Sequence, residues 1–79
     1  MHTHDDFKTA LRLFNTSIAE FSRNLIRPDG TKGVSRTAVT RVSQGHEEIE
    51  WIAIEIDRVI NKARNAFPEY YKKKDKISA

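Results

Sequence analysis

Two stretches on either side of a break in the helical pattern decide the fold. They read Ser17-Ile18-Ala19-Glu20-Phe21-Ser22-Arg23-Asn24-Leu25 and Gly33-Val34-Ser35-Arg36-Thr37-Ala38-Val39-Thr40-Arg41-Val42. Ser17 and Glu20 have the spacing of a capping box, in which each side chain bonds the other residue's backbone N–H. Ser35 is expected to cap a second helix over 36–43, which Gly45 ends in the left-handed conformation. The two stretches therefore predict two short helices, the first running from 18 to about 25.

The segment between these helices is predicted to be a loop or a tight turn. Pro28, Asp29 and Gly30 supply a fixed φ, a local hydrogen-bond acceptor and a residue that tolerates positive φ. Seven residues do not separate two cores in a chain of 79 residues. We therefore expect one domain, 1–79, with a helix-turn-helix unit at about 17–45.

Two more helices are predicted outside this pair. One covers 5–14, where the apolar residues Phe7, Ala10, Leu11 and Phe14 lie on one helical face. The other is the longest and covers about 47–67, with apolar residues at helical spacing from Ile49 to Ala63. Its first turn is expected to hold three carboxylates, Glu47, Glu48 and Glu50.

The rest of the chain contributes no further regular element. Pro68 stops or kinks the long helix, and 68–79 follows as a basic tail. The sequence carries no strand pattern. The predicted class is all-α, a small four-helix domain with an extended loop between the two short helices and a long C-terminal helix.

The composition excludes several classes of protein. Cysteine is absent, which excludes disulfide scaffolds and cysteine-ligated zinc sites. No apolar run approaches the roughly 18 residues of a membrane span. Residues 1–6 lack the basic start and apolar core of a signal peptide, so we expect a cytoplasmic protein.

Metal binding and catalysis are not expected either. His2 and His4 are two residues apart near the chain end, and His46 has no cysteine to support it. Glu47 and Glu48 point to different sides of an exposed segment, which is not a catalytic pair. We expect no enzyme activity, no cofactor and no small-molecule ligand.

Charge is distributed unevenly along the chain. Residues 23–43 hold five basic side chains against one acid, Asp29, whereas residues 46–57 hold five carboxylates and no lysine or arginine. A basic middle favours an anionic partner, although a mixed and solvated surface is an equal alternative on charge alone.

The second short helix has the pattern of a DNA-reading helix. Val39 and Val42 are expected to lock it against its neighbours, while polar and basic side chains face outward. The candidate base-contacting residues are Ser35, Arg36, Thr37, Thr40 and Arg41. The candidate phosphate-contacting residues are Arg23, Arg27, Lys32 and Gln44.

The two stretches together resemble the helix-turn-helix of phage-repressor-type regulators, also described as lambda-repressor-like or XRE-type. In that family the glycine directly follows the leucine, whereas here seven residues, 26–32, separate Leu25 from Gly33. Ser22 also stands where the family has alanine. The resemblance implies a transcriptional regulator that binds double-stranded DNA.

Two apolar residues of the long helix fall outside its main stripe. Trp51 and Ile54 are predicted to face away from the core, with Arg58 one turn beyond Ile54. One interpretation is a homodimer interface, and the other is an intramolecular cover over the N-terminal arm or burial by a rotated helix. An alternative function is a helical protein-interaction module, adaptor or antitoxin-like, that uses this helix and the basic tail.

Overall fold

The computed structural model describes residues 4–70, and this part of the chain is helical, as predicted. Four helices follow one another: α1 (His4–Leu13), α2 (Ile18–Asn24), α3 (Arg36–Gln44) and α4 (Glu50–Ala66). Residues 68–70 are helical again after a break at Phe67. Between residues 4 and 70 there is no β-strand, only one isolated antiparallel bridge.

The predicted capping residues Ser17 and Ser35 are confirmed, with the bond from the Glu20 N–H being the half of the predicted capping box that the structure shows. The hydroxyl of Ser17 accepts a hydrogen bond from the backbone N–H of Glu20 at 3.3 Å. The hydroxyl of Ser35 accepts one from the N–H of Ala38 at 3.0 Å. Gly45 ends α3 with a φ of 82°, the left-handed conformation expected of it. Local chemistry therefore sets the bounds of both short helices.

The core lies between α1 and α4. The helix α3, which packs against α2, completes it. Phe7 is fully buried, and its ring meets the ring of Phe21 edge to face with centroids 5.1 Å apart. At the other end Phe14 meets Phe67 in the same way at 5.9 Å. The buried apolar residues are Phe7, Ala10, Leu11, Leu25, Val39, Ile52, Ile56, Ile60 and Ala63. The predicted apolar stripes of α1 and α4 therefore form one core.

The predicted start of the long helix at residue 47 is wrong. The helix begins at Glu50, so Glu47 and Glu48 belong to the link from α3 and not to the first turn. Ile49 has extended backbone angles, φ −124° and ψ 101°, and packs against the core. The contact of Ile49 with the core therefore replaces helical structure at residues 47–49. Only one of the three glutamates, Glu50, lies where the helix dipole favours a negative charge.

The end of α4 agrees with the prediction to within a residue. The N–H of Phe67 bonds the carbonyl of Ala63 at 2.7 Å, and Pro68 follows. Of the predicted tail, 68–70 is helical and 71–79 lies outside the described residues. No helix in residues 4–70 is both long and apolar enough to cross a lipid bilayer.

Candidate nucleic-acid interface

The segment between α2 and α3 is a loop that one antiparallel bridge closes at its base. Residues 26–32 form it, and we call it the hairpin. Ile26 and Lys32 make an antiparallel bridge across its base. The N–H of Arg27 donates to the carbonyl of Thr31 at 2.7 Å, and the N–H of Gly30 donates to the carbonyl of Arg27 at 2.9 Å. The predicted turn is confirmed, and its two ends are bonded to each other.

Closure of the hairpin brings Leu25 and Gly33 together. The N–H of Gly33 donates to the carbonyl of Leu25 at 2.7 Å, so the chain leaves and returns at one point. Without the hairpin, the connection from α2 to α3 would consist of Leu25, Gly33, Val34 and Ser35. That is the length of a helix-turn-helix turn, which is usually three or four residues and often contains glycine. Gly33 has a φ of +98°, which other residues adopt only with strain.

Contacts beneath this turn fix α3 against α2. Ser22 is 1% exposed, and its hydroxyl donates to the carbonyl of Ile18 at 2.7 Å. Its own carbonyl accepts from the N–H of Val34 at 2.9 Å. Val39 is fully buried, while Val42 packs against the core from its edge. The serine at this helix contact is therefore small and has its hydroxyl satisfied, so it fits where alanine is usual in the family that this segment resembles.

The side of α3 opposite Val39 faces solvent. At about 100° per residue, Thr37, Arg41 and Gln44 lie roughly 140–200° from Val39 around the helix. All three are exposed, whereas Thr40 is half-buried at the edge of this side. The structure thus brings Gln44, predicted as a phosphate contact, onto the same side as two predicted base contacts. Glutamine can bond adenine in two places, a role that its position near the helix end did not suggest.

The start of α3 carries the remaining predicted base contacts. Ser35 and Arg36 are exposed there, beside the base of the hairpin. The hydroxyl of Ser35 already accepts the capping bond, so it has only its hydrogen to offer a base. Arg23, on the last turn of α2, is also exposed.

One carboxylate lies close to the exposed side of α3. A terminal nitrogen of Arg41 is 3.9 Å from a carboxylate oxygen of Glu47, and the two side chains are 62% and 40% exposed. A pair of this kind contributes about 0–1 kcal/mol. Arg41 is therefore held weakly and can exchange this partner for a base or a phosphate.

The hairpin has a different acid at its tip. Asp29 accepts hydrogen bonds from the hydroxyl of Thr31 at 2.7 Å and from its N–H at 3.0 Å. These two bonds, with a smaller effect from Arg27, lower the pKa of Asp29 below its ordinary value. The tip of the hairpin is therefore negatively charged at neutral pH.

Arg27 and Lys32 differ in their contacts within the hairpin. Lys32 forms the bridge with Ile26 at its base, and Arg27 is the residue that follows Ile26 along the chain. The Nε of Arg27 donates to the carbonyl of Gly33 at 3.0 Å. The sequence treated these two cations as equivalent, whereas the structure gives Arg27 an additional role in holding the hairpin to the turn.

An open groove of about 450 Å³ separates the hairpin from the start of α4. Trp51 lines it and also packs against the core, so its indole is half-buried. The other residues that line the groove are Arg27, Pro28, Asp29, Val34, Ser35, Ala38, Ile49 and Ile52. The prediction that Trp51 faces away from the core is therefore wrong, because its contact with the core leaves the indole half-buried.

Ile54 stays on the surface of α4. Its side chain is 48% exposed. Arg58, the third predicted interface residue, donates to the carboxylate of Glu55 on its own helix at 3.2 Å. This face of α4 thus combines an exposed aliphatic side chain with charges of both signs.

No metal cluster is formed by the histidines and acids of residues 4–70. His4 contacts Ser43, with Nδ1 2.6 Å from the hydroxyl oxygen, and so joins α1 to the end of α3. His46 is exposed in the link after α3, and His2 lies outside the described residues.

Comparisons with protein-family models, with curated proteins and with solved structures gave no match to this chain. The geometry of α2, the turn and α3 therefore carries the functional argument by itself.

Proposed function

We propose that the protein is a sequence-specific DNA-binding regulator of transcription that reads the major groove with α3. The observation that carries the proposal is the bond between Leu25 and Gly33, because it reduces the connection to the length of a helix-turn-helix turn. Val39 is buried on one side of α3, and the opposite side is polar and exposed. A helix held in this way can enter the groove without unfolding its contacts to the core.

The side chains on the outer side of α3 suit base recognition. Arg41 can make two bonds to guanine, Gln44 can make two bonds to adenine, and the methyl group of Thr37 can contact thymine. Arg36, at the start of the helix, adds a second guanidinium. The proposal needs no cofactor, no metal and no catalytic group.

Selection of bound sequences from a random DNA pool tests this proposal directly. A consensus site is expected, and binding to it is expected to weaken steeply with salt. Replacing Arg36 or Arg41 with alanine should then reduce affinity for the selected site by about 1–3 kcal/mol, with a much smaller loss on random DNA. Selection without a consensus, or equal losses on both DNAs, would refute base reading by α3.

A matched control for these variants is Lys62→Ala, which removes one exposed positive charge from α4. It should leave the preference for the selected site over random DNA unchanged, because Lys62 lies on a helix that is not proposed to enter the groove.

The exposed Ile54 supports a second candidate, a contact with another protein or a second copy through α4. Substitution Ile54→Glu should leave the helical circular dichroism unchanged, because half of this side chain is already in water. If α4 joins two copies, the variant should sediment as a monomer and lose cooperative binding to paired sites. A wild type that is monomeric at high concentration would remove the homodimer. The basic residues after Tyr70, which the adaptor hypothesis also uses, lie outside the described residues.

A further inference from the structure

The hairpin presents its charged side chains on a backbone that is already ordered by hydrogen bonds. Three backbone hydrogen bonds of 2.7–2.9 Å close it and join it to the turn before α3. Asp29 holds its tip through two bonds to Thr31. A cation on such an element loses less conformational entropy on binding than one on a free loop.

The cations of the hairpin are at its base, next to the start of α3. Lys32 immediately precedes Gly33, and the capping residue Ser35 follows within three positions. Three extended residues span at most about 10 Å. Lys32 therefore starts close to any DNA strand that the first turn of α3 approaches.

The second cation, Arg27, is oriented by a hydrogen bond to the backbone. Because the Nε of Arg27 is bonded to the carbonyl of Gly33, its two terminal nitrogens are left for another acceptor near the turn. A phosphate is the acceptor that a guanidinium bonds with two parallel N–H groups. The carboxylate of Asp29 lies at the opposite end of the hairpin, where it disfavours insertion of the tip into a groove.

We propose that the hairpin is a second DNA-contacting element, in which Arg27 and Lys32 bond backbone phosphates beside the bases read by α3. This inference rests on the proposed function, since it assigns a further contact to the same DNA. Phosphates are alike at every site, so the hairpin raises affinity for all sequences and adds nothing to base preference. Seven residues that interrupt the turn are thereby given a role in binding.

The test measures the salt dependence of binding to a random-sequence duplex, which requires no known operator. The double variant Arg27→Ala/Lys32→Ala should flatten the slope of log affinity against log salt by about 1.8, at about 0.9 per phosphate. Between about 50 and about 200 mM salt, the wild type should therefore lose about twelve-fold more affinity than the variant. The selected site should show the same change.

Two further variants keep the test decisive. Lys62→Ala/Arg64→Ala removes two charges about 16–20 Å along α4 from Trp51, one of the α4 residues that line the hairpin groove, and should leave the slope nearly unchanged. Lys32→Ala alone leaves the bond between Arg27 and Gly33 intact and should flatten the slope by about 0.9 even if the double variant folds poorly.

The outcomes separate the two proposals. A wild type that binds its selected site, with slopes unchanged in the hairpin variants, overturns the hairpin contact and leaves base reading by α3 in place. A wild type without affinity for any duplex at low salt overturns both.

Discussion

Removing the hairpin is the most direct test of how the turn is built. The deletion takes out residues 26–32 and joins Leu25 to Gly33. Residues opposed in a hydrogen-bonded antiparallel pair have Cα atoms about 5.5 Å apart, and a peptide bond brings them to about 3.8 Å. The bond between Leu25 and Gly33 thus places the new ends within about 2 Å of the joined geometry.

The expected change in stability is small because the contributions oppose one another. Shortening the connection from eleven residues to four lowers the entropic cost of closing the loop. This stabilises the folded state by about 0.9 kcal/mol. Removing the hairpin also uncovers apolar surface in the groove beside Trp51, which costs about 25 cal/mol for each Å² uncovered. We expect the free energy of unfolding to change by less than about 1.5 kcal/mol in either direction.

Urea unfolding followed by circular dichroism measures this free energy, since the helical signal does not depend on the groove around Trp51. The deletion variant should also keep its preference for the selected DNA site while losing affinity for all sequences. Comparison with Arg27→Ala/Lys32→Ala, which keeps the hairpin but not its charges, separates loss of the loop from loss of the cations. A loss of more than about 3 kcal/mol, the size of a core defect, would show that the hairpin belongs to the core and refute the reasoning.

Two more predictions concern the acids near the interface. Glu47→Gln should raise affinity for DNA by up to about five-fold, because it frees Arg41 from a weak partner. The matched variant Glu48→Gln should give a smaller gain. Equal gains of the two variants in a binding titration would show that the effect comes from net charge alone. Asp29 should titrate below its ordinary pKa of 3.8, so the stabilisation that its bonds give the hairpin is complete above that pH and is lost as the pH falls through the lowered value. An NMR titration of the Thr31 amide measures the midpoint, and a midpoint at or above 3.8 would contradict the observed bonds.

Much of the fold was predictable because its determinants are local in sequence. Ser17, Ser35 and Gly45 act on the backbone of their own helices, and all three were assigned correctly. The start of α4 was not predictable from the same rules. Burial of Ile49 in an extended link decides it, and this depends on the core that forms around it.

The interface was predictable in composition but not in arrangement. Turn chemistry at Pro28 and Gly30 marks a bend, yet the bond that joins Leu25 to Gly33 has no side-chain signature. Trp51 falls outside the apolar stripe of its helix, and its contact with the core beside the hairpin groove explains why it is half-buried. Both features arise from contacts between residues that are not neighbours in sequence.

The balance of charge around α3 bears on how a helix of nine residues can select a site. Under the proposed function, three good base contacts would be worth about 3–9 kcal/mol of discrimination, which covers most of the roughly 4–10 kcal/mol usual for specific binding. Phosphate contacts from the hairpin would strengthen binding to correct and incorrect sites equally, so they would leave this difference unchanged. The carboxylates of Asp29 and Glu47 have the opposite effect, since they weaken attraction to all DNA. Because these carboxylates offset part of the attraction to phosphates, the affinity of the basic segment depends more on its base contacts. Selective binding by one short helix requires that affinity depend on base contacts in this way.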